Sequence, residues 1–412
     1  MHKMALQVSP EPGAQDVRRL TATINDVTAR IAADHFDSAL RAVVLTGSLA
    51  RDEGSFVREG TCWKLLGDAD FFLVFHKGKP LPASLNVDSI QGKIRSALED
   101  LGIEATVGLG IVYGSHFLNL PLHIATYELR SCGRVVWGES DILSLVPVFG
   151  PSKISLEDAW RMLANRIIEL LEVVAAAPEA DTVLSPESQY RVLKLFLDMA
   201  TSYLVFAGRY SPTYREREAA LRDLADRKSA QVDAPFPLRV FADRVTACTE
   251  AKLGRQPLKN GSEKWLHDAM LFARLLWKWE LVRLTGETRQ VSESQLMVSW
   301  MRRQPLKAKL RGWVSAVRRC GGHRSWPQWL RWLRLGWKAS PRYWVYHIAA
   351  EVFFQLPVLL RQEHRVGAAL HNLAGRLPLA KNEAGEATAA EWRLVAEVTA
   401  LNYHRLLETT IA

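Results

Sequence analysis

The chain is poor in cysteine. Cys62, Cys132, Cys248 and Cys320 are the only four in 412 residues, far apart and without a C-x-x-C pair. That spacing argues against a disulfide framework and against a zinc site. Also missing is an uncharged apolar run near the ~20 residues that a membrane-crossing helix needs. The opening MHKMALQVSPEPGAQD has no apolar core of the signal-peptide kind, so a cytoplasmic protein is expected. Acidic residues are the scarcer charge, 44 Asp and Glu against 53 Lys and Arg, which leaves a net charge of +9. An anionic partner is favoured, whether a nucleotide, a nucleic acid, an anionic polymer or a membrane surface. The acidic deficit is total from Arg302 to Arg342, where twelve Lys or Arg occur with no Asp or Glu.

What is present falls into unlike parts. Val17, Leu20, Ile24, Val27 and Ile31 recur at helical spacing, as do Ile90, Ile94, Leu98 and Leu101. Between and after them lie strand-like runs: AVVLT, FFLVF, TVGLGIVY, LPLHIATY and GRVVWG. After Pro151 the patterns are helical, opening at Ser155-x-x-Asp158, which has the form of a capping box. The expected fold class is α+β, a mixed-sheet N-terminal domain followed by an all-α region. The expected divisions are 1–150, a helical domain over 151–295, and a basic, Trp-rich helical region over 296–412.

The chemistry concentrates in LTGSLARDEGSFVREGTCWKLLGDADFFLVF, from Leu45 to Phe75. In a strand, residues two apart share a face, so Asp68 and Asp70 present two carboxylates together. Such a pair suits a hard cation such as Mg²⁺, which takes oxygen ligands and bridges to phosphates. Gly47-Ser48 ends the preceding strand. Gly permits close approach of backbone to ligand, Ser48 adds a hydroxyl, and Arg51 offers a charge for an anion. A helical turn beginning there would aim free N–H groups at phosphate.

Gly-Ser followed by Asp-x-Asp, each at the mouth of an apolar strand, resembles the signature of the DNA polymerase β-like nucleotidyltransferases. That superfamily includes the aminoglycoside-type and minimal bacterial enzymes. The resemblance covers roughly the first 150 residues. It implies a small mixed sheet, Mg²⁺ as cofactor, and transfer of a nucleoside monophosphate from an NTP to an acceptor hydroxyl. Gly47 and Ser48 would hold the triphosphate, and Asp68 and Asp70 would ligate the metal. Two departures stand out. Nineteen residues separate Ser48 from Asp68, which implies an inserted loop. The family's third carboxylate sits on a later strand, and in LPLHIATYEL the aligned position holds His123. His123 is either a replacement base, its unperturbed pKa being near neutrality, or the mark of a lost activity; Glu128 lies further along. The alternative function is an inactive protein of the same fold, docking on a membrane or anionic polymer.

Lys194 and Asp198 are one helical turn apart and fit an ion pair; the other reading gives Lys194 to the triphosphate and Tyr190 to the base. Seven of the fourteen tryptophans lie from Trp300 to Trp344. They fit a helical core, and they also fit peripheral contact with an anionic membrane or stacking on nucleic acid.

Overall fold

The computed structural model describes residues 13–82, 84–176, 186–254, 262–320, 326–359, 375–378 and 391–408. The protein is α+β, with a sheet in the N-terminal part and helices beyond it. The chain folds into two compact units. The first comprises Met1–Asp158, Ala207–Leu224 and Ala242–Lys259; the second comprises Ala159–Phe206, Ala225–Phe241 and Asn260–Ala412.

In the first unit, the helical spacing near the N-terminus gives α1, Ala14–Phe36, with Leu20, Ile24 and Val27 buried. The β-branched run after it is β1, Leu40–Thr46, followed by one helical turn, α2, Gly47–Ala50. A hairpin of β2, Phe56–Glu59, and β3, Cys62–Phe75, comes next. The unit continues through α3 (Ser84–Glu99), β4 (Ile103–Tyr113), α4 (Gly114–Leu118), α5 (Ile124–Cys132) and β5 (Arg134–Gly138). The inserted residues between Ser48 and Asp68 are therefore the loop, β2 and the first half of β3.

Strand β3 is central. β4 runs parallel to it from Trp63 to Phe75, and β1 pairs antiparallel with its second half, Asp70–Phe75. β2 pairs antiparallel with Cys62–Leu65, and β5 with β1. A strand has two edges, and β4 overlaps both partners, so β1 and β2 share the edge opposite β4. Alternation along β3 then sorts its residues. Phe71, Leu73 and Phe75 pack with Leu20 and Ile24 of α1 and Ile90 and Ile94 of α3. Phe72 and Val74 face the other way, with Phe117 of α4 and Leu129 of α5. Asp68 and Asp70 belong to this second face, further towards the start of the strand, and both are exposed.

One expected strand is a helix. The run LPLHIATY does not join the sheet; from Ile124 it is α5, with His123 at its N-cap. A short apolar run does not separate strand from helix by pattern alone, and a distant residue settles it. Asp158 Oδ2 accepts the Ile124 N–H at 3.0 Å, satisfying a donor that the first helical turn leaves open. His123 thus stands at a helix head, not on a strand beside the aspartate pair.

The remaining helices are α6 (Leu156–Ala176), α7 (Pro186–Phe206), α8 (Tyr214–Asp226), α9 (Lys228–Asp233) and α10 (Leu238–Lys252). They continue with α11 (Ser262–Thr285), α12 (Glu293–Arg303), α13 (Leu306–Cys320), α14 (Trp326–Lys338), α15 (Pro341–Leu359) and α16 (Glu391–Glu408). Most of α8 and α10 belongs to the first unit. In the second, Trp160 of α6 is fully buried among Trp277, Tyr343 and Tyr346, at ring distances of 5.0, 5.3 and 5.5 Å. Three tryptophans of the basic stretch are core residues as well. Trp313, Trp332 and Trp344 are buried, and their indole N–H groups donate to the carbonyls of Ala339, Pro378 and Leu335. Among the described residues no helix is long and apolar enough to cross a membrane.

Candidate functional site

Asp68 and Asp70 lie opposite Thr106 and Gly108 of β4, and Asp70 also lies opposite Thr46 of β1. Glycines flank Asp70 on both sides. A Cβ on Gly47 would stand 3.1 Å from Asp70 Oδ2, and one on Gly108 would stand 2.6 Å from Oδ1. Gly47 has φ +70°, a left-handed conformation that glycine adopts without strain. It turns the chain from β1 into α2, and so sets the Gly47-Ser48 turn against the Asp70 carboxylate. Ser48 is half-buried, and its carbonyl accepts from the N–H groups of Arg51 and Glu53 at 3.2 and 2.9 Å.

The structure thus brings Gly47, Ser48 and Asp70 together, with Asp68 on the same face. The donor set is all oxygen and acidic, the kind a hard divalent cation takes. Among the described residues no three His, Cys, Asp or Glu side chains gather as ligands for one ion. A cation held by this pair would draw its other ligands from water or phosphate. The β4 position next to Asp70 is glycine, and a side chain there would collide with that carboxylate.

Arg51 has two carboxylate partners within the fold. Its side chain, 7% exposed, is ion-paired with Glu128 at 2.5 Å and with Glu53 at 3.2 Å. Arg217 of α8 donates to Glu128 Oε1 at 2.5 Å, and Tyr210 Oη donates to the same oxygen at 2.5 Å. Glu53 Oε1 accepts the Tyr214 N–H at 2.6 Å. Burial disfavours the charge on Arg51, but Glu128 and Glu53 outweigh it and hold the guanidinium above its ordinary pKa. For Glu53, burial wins over Arg51 and Arg217, and its pKa is raised. Sequence spacing gave no sign of this cluster, because Arg217 and Tyr210 lie far along the chain. A cleft of about 520 Å³ opens beside it, lined by Arg51, Asp52, Glu53, Thr213 and Arg215 among others. Neither Asp68 nor Asp70 is in its walls.

His123 Nδ1 lies 3.5 Å from Asp158 Oδ1. Lys194 belongs to the second unit, with Nζ 5.1 Å from the centre of the Tyr190 ring. Burial lowers its pKa. Asp198 accepts a hydrogen bond from Arg166 Nε at 2.6 Å. No protein-family model and no curated protein matches the chain.

Proposed function

We propose that the first unit binds a nucleoside triphosphate with Mg²⁺ and transfers its nucleoside monophosphate to an acceptor hydroxyl. The observation that carries this reading is Gly47 standing against Asp70, with Asp68 exposed on the same sheet face. Asp68 and Asp70 would hold the cation, and the Gly47-Ser48 turn would receive phosphate oxygens. Bound there, Mg²⁺ would supply positive charge to the oxygens of the displacement. In the transfer, the acceptor oxygen bonds to the α-phosphorus while the bond to the β-phosphate oxygen breaks, and pyrophosphate leaves with the electron pair. The hydroxyl proton passes to a base.

A second reading is nucleotide binding without transfer, in a protein that docks on an anionic surface. One observation favours it. Gly108 occupies the β4 position beside Asp70, so that strand brings no carboxylate there to take the acceptor proton. Titration calorimetry with ATP and GTP in the presence of Mg²⁺ tests the shared part. Asp68→Asn with Asp70→Asn is expected to abolish binding while the fold persists, and unchanged affinity would overturn both readings. Incubation with labelled NTP and cell extract then separates them: a labelled acceptor supports transfer, and bound but unconsumed nucleotide supports the second.

A further inference from the structure

We propose that α13 and α14 form a docking face for an anionic lipid surface. This inference does not depend on the nucleotide reading. Each helix has a buried side and an apolar stripe that the core leaves uncovered. On α13 the buried side carries Trp313 and Ala316, and the exposed stripe carries Leu306, Leu310 and Val314. At 100° per residue those three fall within about 80° of one another around the helix. On α14 the buried side carries Trp332 and Leu335. Its exposed stripe is Leu330, Leu333 and Trp337, within about 60° of one another. Leu333 is 68% exposed and Trp337 is 78% exposed. The Trp313 and Trp332 rings lie 5.4 Å apart, so the two helices are neighbours.

Basic residues edge both stripes. Lys307, Arg311 and Arg318 on α13 and Arg334 and Lys338 on α14 are exposed. Among the described residues none of the five is ion-paired. No Asp or Glu occurs anywhere from Ser294 to Ala350. An amphipathic helix with Leu and Trp on one side and Lys or Arg beside them lies in the plane of an anionic interface. Spanning is out of reach, since the 13 residues of α14 extend about 20 Å against a hydrocarbon core of ~30 Å.

Other occupants fit less well. A second copy of this chain, meeting the same patch through a two-fold axis, would set like charges opposite one another. Nucleic acid would use the arginines, but aliphatic side chains such as Leu306, Leu310 and Leu333 make no contact that phosphate needs. A bilayer uses both: headgroup charge for the basic edges, and the acyl boundary for Leu and Trp.

The experiment is flotation of the full chain with vesicles of phosphatidylcholine, alone and mixed with phosphatidylglycerol. Binding to the mixed vesicles only is expected, weakened but not abolished by salt, with a blue shift in Trp fluorescence. Leu333→Ser with Trp337→Ser should lower partitioning on the order of tenfold or more. Arg334→Gln with Lys338→Gln should weaken binding most at low salt. Both pairs are exposed, and far-ultraviolet circular dichroism checks that the variants stay folded. Absence of vesicle binding would overturn the proposal. So would equal partitioning of the Leu333/Trp337 variant, or a dimer that this variant dissolves. Duplex DNA binding without vesicle binding would overturn it too.

Discussion

Ser202 donates its hydroxyl hydrogen to Glu280 Oε1 at 2.5 Å, and Glu280 is fully buried. Among the described residues its second oxygen has no hydrogen-bond partner. Burial pushes the Glu280 carboxyl up to about 8, against the Ser202 hydrogen bond, which pulls it down. An unfolded carboxyl ionises near its ordinary value of 4.5. Between those two values the unfolded chain holds fewer protons than the folded one, so stability falls as pH rises, by about 1.4 kcal/mol per pH unit. Urea unfolding across that window is expected to show the decline, and Glu280→Gln is expected to flatten it. A Gln variant with the same slope would remove Glu280 as its source.

Gly47→Ala is expected to weaken Mg²⁺–NTP binding more than it destabilises the fold. The left-handed backbone costs an alanine roughly 1–2 kcal/mol, which urea unfolding measures. Its methyl group would also press on Asp70 Oδ2, and calorimetry measures that effect on the ligand. A variant with unchanged nucleotide affinity would mean that Asp70 does not hold the cation.

Arg217 is 4% exposed and bonds Glu128, the carbonyls of Ser211 and Pro212, and the Tyr210 hydroxyl. Removing one partner of a buried charged network costs about 3–5 kcal/mol. Arg217→Met should therefore shift the urea midpoint far down. A shift worth under ~1 kcal/mol would assign the network no more weight than a surface pair.

Asp158→Ala should cost about 1 kcal/mol, the usual range for a lost N-terminal cap, because the Ile124 N–H loses its acceptor. Hydrogen exchange at that amide is expected to accelerate. If His123 is the base in nucleotidyl transfer, His123→Ala should slow turnover ~10²–10⁴-fold and leave NTP affinity intact. Full turnover would place the base elsewhere.

Much of the sheet was legible because its signal is local. β1, β4, β5 and the end of β3 were read from AVVLT, TVGLGIVY, GRVVWG and FFLVF, whereas Cys62–Asp70, the first part of β3, was not, and the aspartate pair lies within that strand and not at its mouth. The hairpin strand β2 was not legible, since FVRE is half polar and is fixed by pairing with Cys62–Leu65. α5 was misread as a strand because its deciding hydrogen bond comes from Asp158, 34 residues away. The aspartate pair and the Gly-Ser turn were legible as short motifs, but their approach depends on the register of β1 against β3. The expectation that Arg51 contacts an anion came from position alone, and its pairing with Glu128, 77 residues away, lies beyond any local pattern.

The two units are interleaved along the chain, and this bears on how the protein is made. Segments Ala207–Leu224 and Ala242–Lys259 complete the first unit. A ribosome must therefore release Arg217 and Lys252 before that unit can close. Until then Glu128 and Arg51 lack part of their buried network, and Ser55 waits for Lys252, whose ammonium donates to its hydroxyl at 2.7 Å. An expression fragment cut at Asp158 would carry the whole sheet and both aspartates, yet leave those polar groups without the partners they bury against.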